Sequence, residues 1–504
     1  MKRRLAYHLM PPRGWMNDPN GLIYYRGEYH VFYQHYPHGP KWGPMHWGHF
    51  TSRDLVHWQE APIALYPDRP YDADGCFSGS AVVDPLGRLV LFYTGHRWVD
   101  REKKHVRQVQ CRAFSRDGRG FEKDPANPLI AEPVDVDGGH IRDPKVFYRD
   151  GRWWMLLGAR KAGRGEVRAY RSDDLVSWEA AGVVARSDGA LGFMWECPDL
   201  FALDGRDVLV LSVEGPKGPF VCDGERSVTG YVVGTWRAGL PPAGQAVLEH
   251  GPFVRLDDGF DFYAAQTFLG PDGRRLLFAW MDDWQGPKPT VDEGWSGALT
   301  LPRELVLGPG ERLRMRPARE LVQLREAELI NVRHWLVGAS DAEMRGVGTR
   351  GVGIAESAEV NEAADRAAVA VTRGDRLEID LTFDVARSTA HRFGIDVRAS
   401  SDRRERTRLL YDRRARRFRF DRSRSGIVGG IREVSLSAER LRLHLFIDRS
   451  SVELFVNDGE RSFTARVYPD PGSDGVLIFA EGGAVVVESM RVWRLKDIWA
   501  GMPQ

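Results

Sequence analysis

The sequence predicts an all-β chain, a five-bladed β-propeller followed by a C-terminal β-sandwich. Three observations carry this prediction. A glycine-centred turn leading into a strongly apolar run recurs five times in the first three hundred residues. Near Pro317 the texture changes to alternating strands separated by turns such as Asn457-Asp458-Gly459. The length of 504 residues exceeds one ordinary core and makes two domains the expectation.

The repeat begins at Tyr25-Arg26-Gly27-Glu28, before Tyr29–Tyr33, and returns at Leu86-Gly87-Arg88, before Leu89–Tyr93. Asp150-Gly151-Arg152, Asp204-Gly205-Arg206 and Asp272-Gly273-Arg274 complete it, at a period of roughly 55–70 residues. Each turn joins two apolar runs, so each unit contains a hairpin. A second element, Ser52-Arg53-Asp54-Leu55-Val56-His57-Trp58, is echoed at Ser172–Trp178 and more weakly at Ser115–Gly118, and reads as the turn between outer strands. A long sandwich is the alternative, but regular hairpins at one period favour radial repetition. The propeller is expected over residues 1–316, a connector with a short helix (Arg319–Leu324) over 317–336, and the sandwich over 337–504. Its strands are expected at Leu377–Val385, Arg408–Tyr411, Leu441–Ile447, Val452–Val456 and Val476–Phe479. The stretch Arg345–Ala368, rich in Gly, Glu and Ala, leaves the start of the sandwich undefined.

Composition narrows the function. Lys+Arg (71) and Asp+Glu (70) nearly cancel, which gives no support to a nucleic-acid or anionic-membrane partner. The basic run Arg403–Arg424 alternates with apolar residues in strand fashion and reads as a solvated face. Sixteen tryptophans suit sugar binding, because a flat ring covers the C–H face of a carbohydrate. Cys76, Cys111, Cys197 and Cys222 are widely spaced, fitting neither a zinc knuckle nor a disulfide scaffold. The basic start Met1-Lys2-Arg3-Arg4 is followed by no apolar export segment, and no run is long enough to span a bilayer, so a cytoplasmic protein is expected.

The chemistry is expected where the innermost strand of each blade begins. These starts are Asn17-Asp18-Pro19, Cys76-Phe77-Ser78-Gly79-Ser80, Arg142-Asp143-Pro144, Trp195-Glu196-Cys197-Pro198-Asp199 and Asp261-Phe262-Tyr263. In a propeller they converge on the axis, bringing Asp18, Asp143 and Glu196 to one funnel. Like charges raise one another's pKa, so carboxylates gathered this way serve acid–base or nucleophilic work, or hold a metal. Without an Asp/Asn-rich calcium loop the metal reading is the weaker one. The histidines His30, His35, His38, His46 and His49 match no helical His-Glu-x-x-His pattern and read as solvated or strand-end residues. Glycoside hydrolysis needs two carboxyls, one ionised and one protonated. Asn17 and Arg142 favour ionisation of their neighbours Asp18 and Asp143, whereas Glu196, between Trp195 and Cys197-Pro198, has the more apolar surroundings that hold a proton.

Trp15–Gly21, Phe77–Ser80, Arg142–Pro144 and Glu196–Pro198 resemble, in order, the hallmark motifs of glycoside hydrolase family 32, which comprises invertases, sucrose-6-phosphate hydrolases and fructanases. Leu445–Phe455 is similar to a strand pair of that family's C-terminal sandwich. The resemblance implies a retaining β-fructofuranosidase without a cofactor or metal. Asp18 would be the nucleophile, Glu196 the acid/base and Asp143 the transition-state stabiliser, with the two working carboxyls about 5–5.5 Å apart. Trp15, Asn17, Gln34, Trp42, Phe77, Ser78, Arg142, Tyr263 and Trp284 match positions that line the fructose pocket. Gly43–His49 and Tyr71–Cys76 look most like the intracellular bacterial enzymes acting on sucrose or sucrose 6-phosphate. An exo-acting fructanase and a non-catalytic fructoside-binding propeller are the alternatives, and the oligomeric state is left open.

Overall fold

The computed structural model describes residues 3–131, 135–218, 221–222, 224–240, 245–338, 358–361 and 366–500. Five antiparallel sheets, each built on four strands, follow one another along the chain as the blades of a propeller. Their inner strands are Gly14–Tyr25, Cys76–Val83, Ile141–Arg149, Met194–Leu203 and Tyr263–Leu269. Each blade's first hairpin carries one of the predicted Gly turns. In blades one, three and four both central residues have positive φ (Arg26-Gly27, Asp150-Gly151, Asp204-Gly205), the geometry whose twist matches a tight two-residue hairpin. The Ser-x-Asp-Leu element joins the third and fourth strands. Asp54 Oδ1 accepts the N–H groups of Val56 and His57, and Asp174 Oδ1 those of Val176 and Ser177. The ring is closed by Trp295-Ser296, reached from blade five, which pairs in parallel with Gly14-Trp15.

The apolar cores lie between blades. Val82, Val90 and Phe92 of blade two meet Ile141, Val146, Met155 and Leu157 of blade three, and Leu156 and Val167 of blade three meet Leu209 and Leu211 of blade four. Each sheet is therefore covered on both faces, which is why its central strands read as unbroken apolar runs such as Leu89–Tyr93 rather than as alternation.

The second domain packs a six-stranded sheet on a seven-stranded one around Ile379, Leu381, Phe383, Ile395, Leu409, Phe418, Leu445 and Ile478. The strand Arg325–Val337, within the stretch expected as a connector, already belongs to the six-stranded sheet through its pairing with Val485–Leu495. The link between domains is the 3-10 turn Arg319–Leu324. Of the Gly-, Glu- and Ala-rich stretch, the short strand Ala358–Asn361 and residues 366–368 are described; the rest lies outside the described residues. In the basic run, Phe418 and Phe420 point into the core while Arg417 and Arg419 pair with Glu433 on the outside. No helix among the described residues is long and apolar enough to cross a membrane.

Candidate active site

Every inner strand carries a register shift at the same height. The shifts lie between Met16 and Pro19, Phe77 and Gly79, Arg142 and Lys145 (opposite Gly158 and Leu156), Glu196 and Asp199, and Tyr263 and Gln266. A bulge turns side chains that would point between blades towards the axis. Asp143, Cys197 and Ala264 take positive φ (65°, 49° and 54°) to make the turn. Pro19, Pro144 and Pro198 sit inside three of these bulges, where a missing N–H breaks no ladder bond.

The bulges deliver Asp18, Asp143 and Glu196 to one cavity of about 250 Å³ at the axis. Asp18 Oδ2 accepts the Ser78 hydroxyl at 2.6 Å and Oδ1 the Asn17 amide at 3.0 Å. Asn17 is held in turn by the Trp15 indole N–H at 2.6 Å. Asp143 Oδ2 accepts the Cys197 N–H at 2.9 Å. Glu196 Oε1 accepts Arg142 Nη2 at 2.7 Å and Nε at 3.0 Å, while Oε2 accepts the Tyr263 hydroxyl at 2.5 Å. The sequence-predicted residues line this cavity, except Trp15 and Tyr263. Those two are buried behind the wall, Trp15 supporting Asn17 and stacking under Trp284, Tyr263 holding Glu196. Gln34 anchors to the Cys76 carbonyl at 3.0 Å, and Phe77 stacks on His96 with 4.0 Å between ring centroids. Trp42 stands edge-on to Phe77 at the rim.

The model of the "Glycosyl hydrolases family 32 N-terminal domain" matches residues 8–317, and that of the "Glycosyl hydrolases family 32 C terminal" matches 346–494. The chain belongs to glycosyl hydrolase family 32. It is similar to a sucrose-6-phosphate hydrolase of Zymomonas mobilis (40% identical, covering 98% of this chain and 92% of that one). It is also similar to a raffinose invertase of Escherichia coli (39%, covering 97% and 94%). Among solved structures it superposes on sucrose-6-phosphate hydrolase from Lactobacillus gasseri with a TM-score of 0.83, at 28% identity over 99% of this chain and 94% of that one. The all-β propeller-and-sandwich architecture is shared with such family 32 structures.

The electrostatics of this family 32 site differ from the sequence expectation. Arg142 does not pair with Asp143; it grips Glu196 across the blade boundary and also reaches Glu214 Oε1 at 3.2 Å. Burial raises Asp143 to about 7, Arg142 opposing and the charges of Glu196 and Asp18 adding to it. Burial also raises Asp18, with Ser78 and Asn17 pulling it back. Glu196 is lowered instead, because Arg142 and the Tyr263 hydroxyl outweigh its burial. The apolar neighbours Trp195 and Cys197 do not set its charge: Trp195 points into the core between blades three and four.

Sequence reasoning missed His96, Trp98, Val106, Gln108 and His140 on the cavity wall, and Glu214, which shares Arg142 with Glu196. His96 and Gln108 lie opposite one another mid-strand in blade two, where no turn, proline or glycine marks them. Cys197 places its thiol 3.6 Å from Asp18 Oδ2 and 3.7 Å from Asp143 Oδ2, and burial keeps it protonated. Of the five histidines of blade one, His38 is exposed and His46 begins its strand, as expected, whereas His30, His35 and His49 are buried. Burial holds His30 and His46 down at about 4. Elsewhere Asp261, Asp282 and Asp283 bring carboxylate oxygens within 4.8 Å of one another. Arg422 and the Arg466 N–H hold Asp261, and Lys288 holds Asp282.

Proposed function

We propose that this chain hydrolyses the terminal β-fructofuranosyl bond of sucrose or sucrose 6-phosphate with retention, through a fructosyl-enzyme. The observation that carries the reading is the placement of Asp18 and Glu196 in the wall of one cavity, the first held by neutral donors and the second by cationic and hydroxyl donors. The names of the relatives, a sucrose-6-phosphate hydrolase and a raffinose invertase, point to the same substrate class. In this reading an Asp18 oxygen attacks the anomeric carbon of fructose as Glu196 gives its proton to the departing glycosidic oxygen. Water then attacks the same carbon, Glu196 takes its proton, and Asp18 is released. Asp143, fixed by the Cys197 N–H, accepts hydrogen bonds from ring hydroxyls as positive charge develops. The likeness of Gly43–His49 to intracellular bacterial enzymes supports a cytoplasmic location, checked by cell fractionation.

Release of reducing sugar from sucrose, sucrose 6-phosphate and inulin tests the proposal. Asp18→Asn and Glu196→Gln are each expected to lose at least about a thousandfold in kcat. Methanol in the reaction should give methyl β-fructofuranoside, the retained product. Preference for inulin would instead favour an exo-fructanase. A wild type that binds fructose but cleaves none of the three would make the propeller a receptor.

A further inference from the structure

We propose that Glu214 is a positioning residue that shares one proton and the Arg142 guanidinium with Glu196, and so keeps the acid/base supplied with its proton. This rests on the reading of Glu196 given above.

Glu196 faces a supply problem. Both of its oxygens accept strong donors, Arg142 on Oε1 and Tyr263 on Oε2, and each of these favours the carboxylate. A general acid must nevertheless carry a proton when substrate arrives. Glu214 ends the second strand of blade four, directly opposite Met194, so its side chain reaches the same guanidinium. Arg142 Nη2 donates to Glu196 Oε1 at 2.7 Å and to Glu214 Oε1 at 3.2 Å, so the two carboxyls meet at one guanidinium nitrogen. Two carboxyls sharing a site repel when both are ionised, and a single proton held between them relieves that repulsion. Burial and the Glu196 charge raise Glu214 to about 8, which puts the proton on Glu214 while the cavity is empty. The other groups facing the pair are Asp143 beside Arg142, His140 ahead of it, Asp18 from blade one, Tyr263 from blade five and Cys197. Arg142 donates hydrogen bonds to Glu196 and Glu214 and to neither Asp143 nor Asp18. The Glu214 side chain is about a third exposed (34%), so this carboxyl is open to proton exchange with solvent.

The proton balance closes over one turnover. Glu214 passes its proton to Glu196 as the glycosidic oxygen approaches, and Arg142 turns towards the newly charged Glu214. Glu196 protonates the departing oxygen while the bond from the anomeric carbon to it breaks and the Asp18 ester forms. In the second step a proton from the attacking water reaches Glu196 and returns to Glu214. The net change is one water added across the fructosidic bond.

The test compares wild type, Glu214→Gln and Glu214→Asp on sucrose and on 4-nitrophenyl β-fructofuranoside, whose leaving group needs no proton. In Glu214→Gln the alkaline limb of kcat/KM for sucrose is expected to move at least about one pH unit lower. Sucrose turnover at pH 7 should fall roughly ten- to a hundredfold, the aryl fructoside should change far less, and Glu214→Asp should recover part of the loss. An unmoved limb, or an equal loss on both substrates, overturns the proposal. The difference in protonated-carboxyl C=O intensity in the infrared spectrum at pH 7 between wild type and Glu214→Gln reads the shared proton without turnover, the contribution of Asp143 being common to both. An intensity unchanged in Glu214→Gln also overturns the proposal, whereas a wild type inert on both fructosides overturns the functional reading instead.

Discussion

Ser78 donates the shortest of the hydrogen bonds that hold Asp18, 2.6 Å against 3.0 Å from Asn17 and 3.6 Å from the Cys197 thiol. A hydrogen bond to a carboxylate contributes about 1.5–3 kcal/mol, and this one favours the ionised form. Ser78→Ala is therefore expected to lower kcat/KM roughly ten- to a hundredfold. It should also move the acidic limb of the pH profile to higher pH, because Asp18, already raised by burial, loses a donor that opposed the rise. A profile with an unmoved acidic limb would remove Ser78 from the electrostatics of Asp18. The three axial carboxylates were legible in the sequence because each stands beside a residue that breaks a strand: Pro19, Pro144, or the Cys197-Pro198 pair. Their proton distribution was not legible. Arg142 was read with its chain neighbour Asp143, but successive side chains on a strand point to opposite sides. The guanidinium accordingly leaves its own blade and meets Glu196, fifty-four positions further along.

At the scale of the element, the hairpin turns could be read directly, because positive φ selects Gly, Asp and Asn at two adjacent positions. The bulges were half visible, marked by proline in blades one, three and four but by none in blades two and five. The bulge of blade two depends on Gly79, where an added Cβ would stand 2.0 Å from the Phe92 carbonyl oxygen. Gly79→Ala must part the first two strands of that blade, at a cost of roughly 1–3 kcal/mol, and shift Ser78 with them. Gly151 takes φ +80° with no atom within 4 Å of the same added carbon, so Gly151→Ala costs about 1–2 kcal/mol from backbone strain alone. Thermal melts should show both variants destabilised, but only Gly79→Ala should lose sucrose turnover in proportion beyond its folded fraction. Equal activity in the two would mean that the bulge does not position Ser78.

At the scale of the whole molecule, charged groups buried between the domains join propeller to sandwich. Arg303, fully buried, reaches Asp257 at 3.0 Å and Glu453 at 2.5 Å. His8 bridges Glu453 and Asp448, each at 2.8 Å. Asp448 also accepts the backbone N–H of Ala6 and Tyr7. The Leu445–Phe455 stretch, legible only as a pattern, thus owes two of its polar positions to partners far away in the chain. No local rule of spacing could have paired them. Removing the cation strands two buried carboxylates, so Arg303→Met is expected to cost about 3–5 kcal/mol. Urea unfolding followed by tryptophan fluorescence and by far-ultraviolet dichroism should show one earlier transition by both probes. Two separated transitions would mean that the domains unfold independently and that the clamp does not couple them.

The grip of Asp448 on Ala6 has a consequence for biosynthesis. Ala6 leaves the ribosome well before its partner, which follows 442 positions later. At about 5–20 residues per second the amino end waits on the order of twenty to ninety seconds for the strand that will receive it. All five blades have been translated by then, yet the segment that ties the amino end to the second domain has nowhere to dock. A nascent chain stalled before Asp448 would carry its ring of sheets with Ala6 and Tyr7 unanchored, open to capture by a chaperone or a protease. Anchoring of this segment would then follow the translation of all five blades.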